Sequence, residues 1–231
     1  MYGRFGLAPF APLPRIEEYV GVVRAVLRGQ AAGYDGKLFR TGVAPLDSPP
    51  VRPGLPVYLA ALGPRMTDLA GRVADGVMLN LMTPAQAGQA AGVVRAAARA
   101  AGRDPASVEV VCVVHCCLSD DAAAAAAAAR AVVLRYVLHP SAPPLFGEAD
   151  GGVDLRAARE LLLAGDRAGA VGQVPQQVAD GFVARGSTAA CAARVEEYRD
   201  AGVDLPVLFP VPVNGDWGYE QVIAAAGEHQ L

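Results

Sequence analysis

Apolar positions first recur at helical spacing early in the chain. Ile16, Tyr19, Val20, Val23 and Leu27 follow an i, i+3, i+4, i+7 pattern, while Glu17, Glu18, Arg24 and Arg28 take the other side. This predicts a helix opened near Pro14 and stopped at Gly29. Residues 1 to 13, with Pro9, Pro12 and several glycines, read as irregular. Tyr34 to Phe39 reads as a small hairpin turned at Asp35-Gly36. Residues 41 to 56 are Pro-rich and read as an extended surface connection.

The segment from Pro56 to Asn80 is the one around which the rest is arranged. Val57 to Leu62 is a continuous apolar run, the pattern of a strand buried on both faces. Gly63-Pro64 stops it, and Pro64 suits the first position of a helix because its missing N–H is not needed there. Met66, Leu69, Ala70 and Val73 then recur at helical spacing, Asp75-Gly76 ends the helix, and Val77 to Leu79 is a second short strand. The result is a βαβ unit with a glycine-containing turn before the helix. The exposed N–H groups of such a helix start form a site for an anion such as a phosphate.

Beyond it the same alternation continues. Thr83-Pro84 caps a helix carrying Ala87, Ala90, Ala91, Val94 and Ala98 and running to Gly102. Val108 to Leu118 is the longest strand candidate. Ser119, Asp120 and Asp121 suit the N-terminus of the alanine-rich helix after it. Residues 139 to 152 break the pattern with Pro and Gly. A helix is predicted near Leu155 to Ala164, with 165 to 174 loose. Residues 139 to 174 together read as an insertion of the kind that covers a substrate. Val178, Phe182 and Val183 share a helix face ending near Gly186. Ser187 caps a helix bearing Cys191, Val195 and Tyr198, with Gly202 past its end. Leu205 to Val213 is a final strand interrupted by prolines, and a short tail with a turn of helix follows. Alternation of this kind predicts parallel strands covered by helices, either in a barrel or in an open doubly wound sheet.

Composition narrows the classes. The chain has 231 residues, 53% hydrophobic, with a net charge of -3, which fits one globular domain with a large core. The mild acidity gives no basic footprint for nucleic acid. No membrane partner is expected, since the longest apolar stretch, Ala122 to Leu134, is mostly Ala and is interrupted by Arg130. No signal peptide is read at the N-terminus, and the expected setting is cytoplasmic. Four cysteines do not make a disulfide framework at this length. Cys112 and Cys116 share one strand face and Cys117 takes the other. No CxxC spacing exists, so no zinc site is expected, and buried apolar roles suit all three.

PVYLAALGPRMTDLAGRVADGVMLN resembles the luciferase-like monooxygenase superfamily, especially its branch dependent on coenzyme F420, a deazaflavin, which includes methylenetetrahydromethanopterin reductase-like proteins. RIEEYVGVVRAVLRGQ with GKLF, TPAQAGQAAGVVRAAARAAGRDP and GSTAACAARVEEYRDAGVDLPVLFP agree with it in order and spacing. The resemblance implies a TIM-barrel-like α/β fold with a late lid insertion, residues 139 to 174. It covers only the second half of the barrel, so about 100 residues of βα units have no counterpart here. A single luciferase-like domain over residues 1 to 231, a partial barrel, is the expectation. An open barrel leaves strand edges and an apolar face exposed, and implies a homo-oligomer or association through the open edge.

The resemblance further implies that the turn after the first strand receives the cofactor's phosphate-bearing tail. That carries over to Ala61, Leu62, Gly63, Pro64, Arg65 and Met66, and Asn80 resembles a cofactor-proximal position. The implied activity is hydride transfer between coenzyme F420 and a small organic substrate. FMN-dependent monooxygenation and a non-catalytic fragment or binding module are the alternatives. Without the resemblance, Gly63-Pro64 is an ordinary βα turn and Asn80 a loop cap. His115, alone in a strand, reads as a core residue, and His139 as an exposed loop residue. Glu17-Glu18 and Glu196-Glu197 fall on solvated helix faces and are rejected as an acid/base pair. No catalytic acid or base is assigned.

Overall fold

The computed structural model describes residues 11–29, 33–42, 46, 48, 50–139, 146 and 153–227. Most of the expected irregular start, part of the Pro-rich connection and most of the Pro/Gly break after His139 lie outside them; of residues 1 to 13, Pro12 and Leu13 are helical and not irregular as expected. By its internal contacts the chain forms two compact units. One holds the described residues up to Val77 together with Val93–Val108; the other holds Met78–Gly92 and the described residues from Glu109 onward.

In the first unit, α1 (Pro12–Leu27) opens on a proline and ends before Gly29, whose φ of +64° suits a residue without Cβ. A hairpin, β1 (Tyr34–Asp35) and β2 (Arg40–Thr41), follows. Its turn is one step further along than Asp35-Gly36, because the Gly36 N–H donates to the Phe39 carbonyl. Glu18 is not the solvated residue expected. Its carboxylate accepts the N–H groups of Lys37, Leu38 and Phe39 at 2.8–3.0 Å and ties the hairpin to α1.

Next come β3 (Tyr58–Ala60), α2 (Pro64–Val73) and the start of β4 (Gly76–Asn80). β3 is shorter than the predicted strand and is not buried on both faces: Tyr58 and Leu62 are each 40% exposed. It stands at the end of the sheet order, so among the described residues one of its edges has no strand neighbour. Asp75 is the clip of this unit. Its Oδ2 accepts from the Val57 N–H at 2.8 Å and from Arg24 at 2.7 Å, and its own N–H donates to the Val57 carbonyl. Gly71 lets α2 touch the second half of α3 (Pro84–Ala100), since a Cβ there would lie 2.5 Å from the Val94 carbonyl oxygen.

In the second unit the long strand β5 (Glu109–Leu118) is central. β6 (Val183–Gly186) runs parallel to its C-terminal end, and β7 (Leu205–Pro210) runs parallel along its other edge. Pro206 and Pro210 are tolerated because, among the described residues, β7 pairs on one side only. One face of β5 packs on α8 (Thr188–Asp200), where Cys116 Sγ lies 3.3 Å from Cys191 Sγ. On the other face Leu205, Val207 and Phe209 of β7 remain part-exposed. Starts and stops follow local chemistry. Thr83 and Gln86 form a reciprocal capping box on α3, Asp121 caps α4 (Ala122–Tyr136), and Ser187 caps α8.

The insertion departs from expectation. Residues 165 to 174 are not loose: α5 (Arg156–Leu163) is followed by a second short helix, α6 (Arg167–Gly172), capped by Asp166 and anchored by fully buried Ala170. Val183 does not extend the helix α7 (Gln176–Phe182) but begins β6 opposite His115, where a β-branched side chain suits an extended backbone. These elements share one apolar core with α4 and with Leu81 and Cys117, at or just past the ends of β4 and β5. Phe146 meets Phe182 edge-on at 5.2 Å within it. The chain closes with α9 (Tyr219–Gly227).

Candidate functional site

The predicted phosphate turn sits between β3 and α2. Ala61 is buried, Gly63 and Met66 are half-buried, and Leu62, Pro64 and Arg65 are exposed. Gly63 has an ordinary extended φ of -126°, and a Cβ placed on it would meet nothing within 4 Å. The fold itself therefore does not require glycine here, and the space above its backbone is open to a ligand. Among the described residues no side chain caps α2; Pro64 has no N–H and the Met66 N–H donates to the Gly63 carbonyl at 3.1 Å, so the Arg65 N–H is the one of that first turn left for solvent or an anion. Exposed Arg65 makes no ion pair among the described residues. The start of α8 offers a contrast. It lines an open cleft of about 220 Å³ with Leu118 and Gly186, but Ser187 Oγ already accepts the Ala190 N–H there.

Asn80 ends β4 in the second unit. Its Oδ1 lies 3.1 Å from His115 Nε2, and its Nδ2 donates to the Tyr136 hydroxyl oxygen at 3.0 Å. A carbonyl oxygen only accepts, so the His115 ring carries its proton on Nε2 and leaves Nδ1 as a bare acceptor. Nδ1 is buried and has no partner among the described residues. Burial, with a smaller contribution from the Arg135 charge, lowers the His115 pKa from 6.5 to about 4, so the ring is neutral at ordinary pH. The ring also meets Phe209 at 5.2 Å and Tyr136 at 6.3 Å. His115 is thus a core residue in burial, as read from sequence, but it is one end of a polar chain that sequence did not reveal. Tyr136 lies 56 residues from Asn80, and its one sequence signal is being the sole aromatic of an alanine-rich helix.

The remaining candidates are structural. All four cysteines are buried and unpaired by disulfides. Burial pushes the Cys112 and Cys117 thiols up to about 12, and its contact with Cys191 together with burial raises Cys116 as well. Glu196 and Glu197 pair with Arg199 and Arg194 on the surface. His139 is exposed, just after α4. Among the described residues no group of three His, Cys, Asp or Glu side chains is placed to hold a metal ion, and no helix is long and apolar enough to cross a membrane.

Comparison with known proteins gives a consistent picture. The family model described as "luciferase-like monooxygenase" matches residues 1–205. The chain is 31% identical over 207 residues to 5,10-methylenetetrahydromethanopterin reductase of Methanolobus tindarius, covering 87% of this chain and 62% of that protein. It is 30% identical over 222 residues to the reductase of the same name from Archaeoglobus fulgidus, covering 93% and 65%. Among solved structures it is similar to the coenzyme F420 dependent tetrahydromethanopterin reductase of Methanopyrus kandleri, with a TM-score of 0.81, 26% identity, and coverage of 94% of this chain and 63% of that one. The expected α/β fold is therefore present: parallel strands and covering helices match that TIM-barrel reductase, and the strands described here do not close a barrel. The chain spans less than two thirds of the length of these relatives.

Proposed function

This chain belongs to the luciferase-like monooxygenase family, and on that premise we propose that it is a single partial-barrel domain that binds coenzyme F420 and serves hydride transfer to or from a small organic substrate. The observation that carries this reading is the uncapped start of α2 under an open glycine. The Arg65 N–H and the positive end of α2 meet the phosphate-bearing tail, Gly63 admits it close to the backbone, and the Arg65 side chain adds charge. Ala61, Leu62, Pro64 and Met66 shape the turn, and Asn80 supplies polar contact from the end of β4. When bound, the deazaflavin supplies the hydride donor or acceptor at its C5 position. The protein residues supply orientation and electrostatics.

The identities of about 30% to reductases of this type support the deazaflavin over FMN. A phosphate-binding helix start serves FMN equally well, which keeps a flavin-dependent monooxygenase as the second reading. A non-catalytic fragment or binding module is the third, supported by the share of its relatives that the chain spans. Association fits all three readings. Leu205 and Val207 of β7 are exposed and apolar, which favours a homo-oligomer or pairing through the open edge. A cytoplasmic setting accords with a reduced deazaflavin as partner.

Fluorescence titration of the purified chain with coenzyme F420 and with FMN tests the reading. Tighter binding of the deazaflavin supports it, and binding of FMN alone transfers it to the monooxygenase. Binding of neither removes the claim that this chain holds a cofactor. Arg65→Ala should weaken binding of either by roughly three- to tenfold, the loss of one charge-assisted contact at an exposed site.

A further inference from the structure

We propose that Asn80 and Tyr136 form a paired hydrogen-bond donor for the ring carbonyl oxygen of a planar heterocyclic ligand, with His115 as the positioning residue that fixes the pair. The proposal rests on the cofactor-binding reading above and deepens it by naming the groups that meet the ring.

The directions of the hydrogen bonds carry the inference. Asn80 Oδ1 accepts from His115 Nε2–H at 3.1 Å, the tautomer that leaves a lone pair and not a hydrogen enclosed at the unpartnered Nδ1. With its oxygen so engaged, Asn80 turns its Nδ2 outward, and one hydrogen goes to Tyr136 Oη at 3.0 Å. The Tyr136 oxygen therefore accepts, and its own hydrogen must be directed elsewhere. Neither that hydrogen nor the second hydrogen of Asn80 Nδ2 has an acceptor among the described residues. Asn80 and Tyr136 are half-buried and reachable, whereas His115 is 4% exposed and its Nδ1 is enclosed. His115 thus works from behind and does not meet the ligand.

The surroundings name the class of ligand. Two neutral groups, each with a hydrogen left to give, stand 3.0 Å apart, which suits an oxygen with lone pairs. Met78, two residues before Asn80 on the same strand face, and Phe209, edge-on to His115, are both exposed and apolar. A flat ring lies against such side chains and presents its carbonyl to the donors, the usual economy of an apolar site with few polar groups. An anion alone would leave those apolar surfaces uncovered.

The test uses the whole chain with coenzyme F420 and FMN as probes, reading the dissociation constant from fluorescence and the absorption band of the bound ring. Tyr136→Phe should weaken binding roughly tenfold, the worth of one hydrogen bond, and move the band toward that of the free ligand. His115→Leu should do the same at a distance, while His115→Gln, which keeps a donor toward Asn80, should recover most of both. In the ligand-free protein, 15N NMR of His115 should show hydrogen on Nε2 only. Tyr136→Phe with wild-type affinity and band overturns the proposal whatever its melting temperature, as does a His115 protonated on Nδ1. A wild-type chain that binds neither probe overturns the cofactor reading itself, and this proposal with it.

Discussion

Lowering the pH should destabilise this protein through His115. The ring is buried and neutral, with a pKa depressed to about 4 from the ordinary 6.5. The unfolded chain takes up a proton first as pH falls. The stability conferred by the neutral ring is therefore fully present above about pH 6.5 and is lost as the pH falls through about 4. Each pH unit between the two values is worth about 1.4 kcal/mol, so the loss reaches about 2 kcal/mol near pH 5 and about 3 kcal/mol near pH 4. That is a large share of a typical domain's 5–15 kcal/mol, roughly. Urea unfolding of the wild type and of His115→Gln at about pH 7, 5 and 4 isolates it, because carboxylate effects common to both cancel in the difference. The variant should start less stable and then lose less as acid is added. Parallel losses in the two proteins, or a His115 ring that titrates near 6.5 by NMR, would refute the reasoning.

Three further outcomes follow from packing and capping. Asp75→Ala should cost about 2–4 kcal/mol by urea unfolding, because it strands the Val57 N–H and the Arg24 guanidinium together; Asp75→Asn, which keeps an acceptor, should lose less. Gly71→Ala should cost about 1–3 kcal/mol, since the new methyl would sit 2.5 Å from the Val94 carbonyl; an unchanged melting temperature would show that α2 and α3 do not touch there. Thr83→Ala should cost about 1 kcal/mol through loss of the capping box, and Thr83→Ser should restore it.

Much of this fold is legible in the sequence because its signals are local. Helix periodicity, Pro64 and Pro84 at first positions, Thr83, Asp121 and Ser187 as caps, and Gly29, Gly102 and Gly202 at helix ends each act within a few residues, and each holds in the structure, whereas the first helix starts at Pro12, two residues before the expected Pro14. The βαβ order was readable for the same reason. The misreadings share the opposite cause. Val183 continues a helical apolar pattern, but an open strand edge on β5 captures it. Residues 165 to 174 look loose until Ala170 finds a core to enter. Tyr58 and Leu62 lie in a run that reads as wholly buried, and only the sheet order puts that strand at an edge.

The opening βαβ segment illustrates the division for the site as well. A glycine turn followed by a helix start can be read from residues 63 and 64 alone, because glycine frees its own backbone and proline fixes its φ. It took the folded chain to show that, among the described residues, no side chain caps that helix and nothing fills the space over Gly63. Folding alone joined Asn80, His115 and Tyr136, which come from two strands and a helix and share no spacing. Hydrogen bonds between distant residues depend on where the chain returns, and composition and periodicity do not record that return.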